Sequence, residues 1–165
     1  MENGLRHTAV LLLGGNEGDR YARLAQAREL IGQRIGEVEA ASAVRETEPW
    51  GDFGATQPQA FLNQALVVAT DLEAHEVLRE ALAIEAELGR RRSTANHYSS
   101  RPMDIDIIFF DNAVIDQPSL QIPHPRMHLR RFVLEPLAEL MPSFCHPTLG
   151  RTMAALLRSL PADSK

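Results

Sequence analysis

The apolar run at residues 7–13 is closed by Gly14, Gly15 and Asn16, which predicts a β-strand ending in a close turn. Over 19–32, Leu24, Ala27 and Ile31 recur at helical spacing while the arginines between them face outward, so an amphipathic helix is expected. Residues 37–46 alternate through Val38, Ala40 and Val44 as a second strand does, and the Glu48-Pro-Trp-Gly-Asp sequence forces a turn. A loop over 51–59 leads into a strand at 61–70. Its alternation puts Phe61, Asn63, Ala65, Val67 and Ala69 on one face and Leu62, Leu66 and Val68 on the other. Asp71 is placed to cap a helix whose buried stripe is Val77, Ala81, Ile84 and Leu88, with Gly89 as its stop. A further strand begins at Asp104, a short edge strand is expected at 113–115, and 118–125, with three prolines, reads as irregular. Helices at 134–140 and 152–160 close the chain, whose tail from Pro161 is expected to fray.

Strands alternating with helices, without repeats or low-complexity linkers, fit one domain spanning 1–165. No apolar run approaches the roughly 20 residues that span a bilayer, and the N-terminus lacks the pattern of a secretory signal. Cys145 is the only cysteine, which excludes an intrachain disulfide and fits the cytoplasm. It reads as a half-buried structural cysteine, since adjacent Cys145 and His146 rarely aim at one point as nucleophile and base do. A net charge of −5 argues against a general nucleic-acid binder.

Lys165 is the only lysine among the 17 basic residues. No internal lysine is present to serve a P-loop, a Schiff base or a kinase-type clamp, so phosphate recognition falls to arginine, whose planar fork makes bidentate contacts. Arg90, Arg91 and Arg92 follow the helix stop at Gly89. They either complement the negative end of that helix or begin a polar loop that runs through Tyr98 to Arg101 and on to two aspartates. Those aspartates, Asp104 and Asp106, share one strand face about 7 Å apart, with Ile105, Ile107 and Phe109 opposite. Two acids at the head of a buried strand repel unless a cation lies between them. Magnesium suits hard oxygen ligands and substrate phosphates, and the alternative is a pair of solvated acids with Arg101 as ion partner. Asn63 sits on an otherwise mostly apolar face, where its amide either reads a heterocycle edge or pairs with neighbouring backbone. His124, held between Pro123 and Pro125, is either a phosphate donor or a surface histidine.

Taken in order, GGN, TEPWG, FLNQALVV, ELGRRR, RPMDIDIIFFDN, IPHPRM and RRFVLEPL resemble the 6-hydroxymethyl-7,8-dihydropterin pyrophosphokinase family over about residues 8–150. The resemblance implies an α+β ferredoxin-like sandwich, an antiparallel sheet with helices packed mainly on one face, acting as a monomer. It implies Mg-dependent transfer of diphosphate from ATP to the hydroxymethyl group of a reduced pterin, with release of AMP, in folate biosynthesis. Position by position, it makes Asp104 and Asp106 the ligands of two magnesium ions. It places the pterin against Thr47, Trp50, Phe61, Asn63, Tyr98 and Phe132. Arg90, Arg92 and Arg101 join the aspartates as catalytic groups, and Glu85, Arg92, Arg101, Ile107, His124 and Arg130 fall where the family holds ATP. Loops at 49–58 and 90–100 would close over the substrates and exclude water. One extra residue between Arg92 and Arg101, His97 in place of an arginine, and Pro125 in place of a frequent tyrosine depart from the family pattern.

Two other classes use parts of this pattern. A nucleotidyltransferase or glycosyltransferase also holds metal with two acids one residue apart, but releases pyrophosphate or a nucleoside diphosphate. A ferredoxin-like module for single-stranded RNA needs exposed sheet aromatics and a basic surface, and nine aromatics with a net charge of −5 weigh against it.

Overall fold

The computed structural model describes residues 7–48, 60–89 and 103–162. Trp50, Arg90, Arg92, His97, Tyr98, Arg101 and the two expected closing loops lie outside these residues. Strand β1 (His7–Gly15) leads into helix α1 (Arg20–Arg34), then β2 (Gly36–Ala41), β3 (Arg45–Thr47) and β4 (Phe61–Thr70). Helix α2 (Ala74–Glu87) precedes β5 (Asp104–Phe110) and the hairpin β6 (Ile115–Gln117) and β7 (Leu120–Ile122). A 3-10 turn at Met127–Leu129 joins this hairpin to α3 (Arg131–Leu140) and α4 (Met153–Arg158).

The main sheet runs β2-β4-β1-β5 with every neighbour antiparallel, and β3 pairs with β4 beyond the end of β2. Leu24, Ala27 and Ile31 of α1, Val77, Ala81 and Ile84 of α2 and Leu88 at its C-cap are buried with Ala9, Leu11, Leu13, Leu62 and Leu66, so the expected helical stripes are the ones that pack. The other face is covered as well. Val10, Leu12, Ala65, Ile108 and Phe109 pack with Val133, Leu134 and Leu137 of α3 and Met153 and Leu156 of α4. Helices therefore lie on both faces, not mainly on one.

Other departures from the sequence pattern have local causes. β1 continues through Gly14 and Gly15, because both still pair with β4. The segment expected as one strand at 37–46 breaks at 42–44. There the Ser42 hydroxyl accepts from Ala65 N at 3.0 Å and the Gln64 amide donates to the Ser42 carbonyl at 2.7 Å, side chains replacing part of the ladder. Glu73, rather than Asp71, is the N-cap of α2, in a capping box with Glu76 whose carboxylate accepts from Glu73 N at 2.8 Å. Gly89 follows the helix at φ +100°, as a glycine stop requires.

The stretch expected to be irregular holds the second strand of a hairpin, with Leu120 and Ile122 buried and Gln121 exposed between them, and the first strand lies at Ile115–Gln117 rather than at 113–115. Three-residue strands are too short to show a period in sequence. Helix α3 begins at Arg131, three residues before the apolar pattern suggested, with Pro136 inside it. Cys145 is exposed, not half-buried, while His146 is 5% exposed. The adjacent pair is thus divided between solvent and core.

Candidate active site

The site grows from the end of β1. Gly14 pairs with Asn63 of β4 on one side and with Asp104 of β5 on the other, and Arg45 of β3 pairs with Asn63. Directly paired residues project to the same face, so Arg45, Asn63, Gly14 and Asp104 form one row across four strands. Asp106 pairs with Leu12, which packs with α3 and α4, so this is the face those helices cover.

A bulge in β5 alters one expectation for this strand. Val10 pairs with Phe109 and Leu11 with Ile107, leaving Ile108 as the extra residue. Phe109 is thereby turned to the aspartate side, where it packs with Ile108, while Ile105 and Ile107 remain opposite beneath α1 and α2. Asp104 and Asp106 lie before the bulge and keep their shared face. Asp104 is half-buried and Asp106 exposed.

Asn63 is 5% exposed and donates through Nδ2 to the Thr47 hydroxyl at 2.9 Å. The partner is another expected site side chain, one strand away, rather than neighbouring backbone. Thr47 pairs directly with Phe61, so Thr47, Phe61 and Asn63 are brought together at the β3–β4 end of the sheet. Phe132, the second residue of α3, packs half-buried against the core of this face, and the Arg130 guanidinium carbon lies 5.7 Å from its ring centroid.

Glu85 approaches from the opposite side of the sheet. This α2 carboxylate is 4% exposed and accepts from Ile105 N at 2.7 Å, on the residue between the two aspartates. Ile107 is buried in the same layer. His124 is held beside β5 by its backbone N–H, which donates to the Ile108 carbonyl at 3.2 Å. Burial, with Arg130 nearby, lowers its pKa, so the imidazole is neutral near pH 7. His124 also lines a cavity of about 330 Å³ with the hairpin, His128 and His146.

Two features of the site were not read from the sequence. Gly14 looked like a turn residue, yet it lies in a strand where an added Cβ would stand 3.1 Å from Asn63 Oδ1. Arg45 reaches Glu139 of α3 at 2.9 Å, close enough for an ion pair though not aligned as a hydrogen bond, and Glu139 also accepts from Ala43 N at 3.1 Å. Glu139 thereby ties the β2–β3 break and the Asn63 row to the covering helix. No sequence spacing links 45 to 139.

Among the described residues no group of three or more His, Cys, Asp or Glu side chains is placed to hold a metal by itself. A carboxylate pair instead suits a cation that completes its shell with water and phosphate oxygens.

The profile of the family described as 7,8-dihydro-6-hydroxymethylpterin-pyrophosphokinase (HPPK) matches residues 10–142. The 2-amino-4-hydroxy-6-hydroxymethyldihydropteridine pyrophosphokinase of Porphyromonas gingivalis is 39% identical over 139 residues, 83% of this chain and 92% of that protein. Its namesake in Methylorubrum extorquens is 42% identical over 135 residues, covering 81% and 82%. Among solved structures, the HPPK-DHPS of Plasmodium falciparum shares the fold with a TM-score of 0.75 at 18% identity, over 96% of this chain and 44% of that one. The chain thus spans under half the length of that structural neighbour.

Proposed function

Because the chain belongs to the 7,8-dihydro-6-hydroxymethylpterin-pyrophosphokinase family, we propose that it transfers diphosphate from ATP to the hydroxymethyl group of 6-hydroxymethyl-7,8-dihydropterin, releasing AMP, in folate synthesis. One observation carries the reading. The row Asn63, Gly14, Asp104 places an amide able to read a heterocycle edge and a carboxylate able to hold a phosphate-bound cation on one face, with only a glycine between them. The β2-β4-β1-β5 order, with α1 and α2 as crossovers, supports a ferredoxin-like sandwich to which α3 and α4 add a third layer. One chain supplies both halves of the row, which supports a monomer, and the lone cysteine fits the cytoplasm.

In this reading Thr47 holds the Asn63 amide in register, leaving its carbonyl oxygen for donors on the pterin edge, while Phe61 and Phe132 supply flat apolar contacts. Asp104 and Asp106 would hold two magnesium ions, which when bound offset the charge of the triphosphate. The pterin hydroxyl oxygen forms a bond to the β-phosphorus as the bond from that phosphorus to the α,β-bridging oxygen breaks. AMP leaves with the bond pair, and the hydroxyl proton passes to solvent. His124, neutral and carrying one ring N–H, and Arg130 are the described donors for phosphate oxygens, and Arg90, Arg92 and Arg101 complete the proposed set. Positioning and charge compensation supply the catalysis, as phosphoryl transfer requires.

The test is product analysis with ATP, magnesium and 6-hydroxymethyl-7,8-dihydropterin. AMP and diphosphorylated pterin should appear in equal amounts and depend on both pterin and magnesium. ADP, pyrophosphate or no product at all would sink the proposal.

A further inference from the structure

We propose that Glu85 is a positioning residue for the Asp104 and Asp106 pair, acting through the backbone of Ile105. The proposal rests on the metal reading above. Among the described residues β5 is an edge strand of the main sheet, paired with β1 along one side only. Ile105 stands between the two aspartates with its side chain buried on the opposite face, and its N–H donates to Glu85 Oε2 at 2.7 Å. Glu85 is 4% exposed on a helix whose other inward positions are Ala74, Val77, Ala81 and Ile84.

A leucine at 85 would satisfy that apolar stripe, and burying a carboxylate in its place is unfavourable unless hydrogen bonds replace the lost water. What the carboxylate supplies, and leucine cannot, is an acceptor for an edge-strand amide. Asp104 and Asp106 leave β5 on the side opposite Ile105, so rotation of the intervening backbone would swing both carboxylates. Gly14, which pairs with Asp104 across the strand, has no side chain to resist that rotation. α2 therefore holds through Ile105 N the strand that β1 pairs along its other edge.

The experiment compares wild type, Glu85→Leu and Glu85→Gln by two readouts that need no turnover. These are Ile105 amide exchange followed by NMR, and binding of manganese(II) in the presence of ATP without pterin. Glu85→Leu should speed Ile105 exchange and weaken manganese binding, each by about tenfold. Glu85→Gln retains an acceptor oxygen, so it should keep the Ile105 amide protected and the manganese affinity nearer wild type. Unchanged exchange in Glu85→Leu overturns the proposal. So does a Glu85→Gln variant that loses manganese while Ile105 stays protected, because Glu85 would then act by its charge on the ligand. If Glu85→Leu does not fold, Glu85→Gln decides alone, since protection and affinity must move together. Asp106→Asn is the control for the underlying reading. Undiminished manganese binding there removes the metal assignment, while the Ile105 exchange result still reports on Glu85.

Discussion

Asn63 and Asp104 flank Gly14 on one face of the sheet, and a single added carbon at position 14 would come within 3.1 Å of the Asn63 amide oxygen. The residue between the two proposed binding halves is thus a spacer whose value lies in its missing side chain. Gly14→Ala should preserve the fold, because alanine suits an extended strand, and displace the Asn63 amide by a few tenths of an ångström. Pterin affinity is expected to fall by about tenfold with ATP affinity within about twofold, read by calorimetric titration of each ligand. Equal weakening of both ligands would show that the spacer acts on the whole sheet end.

Thr47 tests the same amide from the other direction. Thr47→Val is nearly isosteric but removes the hydroxyl that accepts from Asn63 Nδ2. Loss of one orienting hydrogen bond on a buried amide should cost about 1 kcal/mol of pterin binding, a fivefold rise in Kd, and, because the buried Nδ2 group loses its acceptor, about 1–3 kcal/mol of stability. Pterin affinity at the wild-type level would mean that Asn63 does not depend on Thr47 for its orientation.

Asp106 is exposed in the structure while Asp104 is half-buried, so removing the charge of Asp106 should leave folding intact. Asp106→Asn is expected to keep the wild-type circular dichroism spectrum and melting temperature, and to lower kcat by about a thousandfold or more. Turnover near normal in a folded variant would remove the carboxylate pair from the mechanism.

Two histidines give pH dependences of opposite sign. His7 hydrogen-bonds Asp111 at 2.7 Å and Glu73 at 3.3 Å, and those carboxylates raise its pKa above 6.5 despite some desolvation. Protonated His7 thus stabilises the fold fully below the unfolded value, and that contribution fades as pH rises through the higher folded value. The melting temperature lost on His7→Gln should be larger at about pH 5.5 than at about pH 8.5. An equal loss at both would mean the cluster acts by packing alone.

His124 shows the reverse. Burial, then Arg130, holds its folded pKa below 6.5, so its contribution to stability is present above the unfolded value and is lost as pH falls through the folded one. Arg130→Gln should raise the His124 pKa, measurable from its ring proton shifts by NMR. Because burial is the larger cause, the rise should leave the pKa still below 6.5. A return to the ordinary value would make Arg130 the main cause.

The amino-acid pattern by itself determined the elements long enough to show a period. Leu24, Ala27 and Ile31, and Val77, Ala81, Ile84 and Leu88, turned inward as their spacing requires, since burial of an apolar stripe rewards one helix face only. Alternation likewise put Asp104 and Asp106 on one face, and the ordered motifs carried the family. Tertiary structure decided what depends on partners distant in sequence. Gly14 became a strand residue because β4 and β5 pair across it, Phe109 changed faces because β5 carries one more residue than β1, and Asn63 found its acceptor on Thr47 of a neighbouring strand. The pairing of Arg45 with Glu139 and the contact of Glu85 with Ile105 depend on how helices settle on the sheet. Local periodicity selects which face of an element is buried, but strand register and helix docking are fixed only when the whole core packs, and those contacts aim the polar side chains of the site.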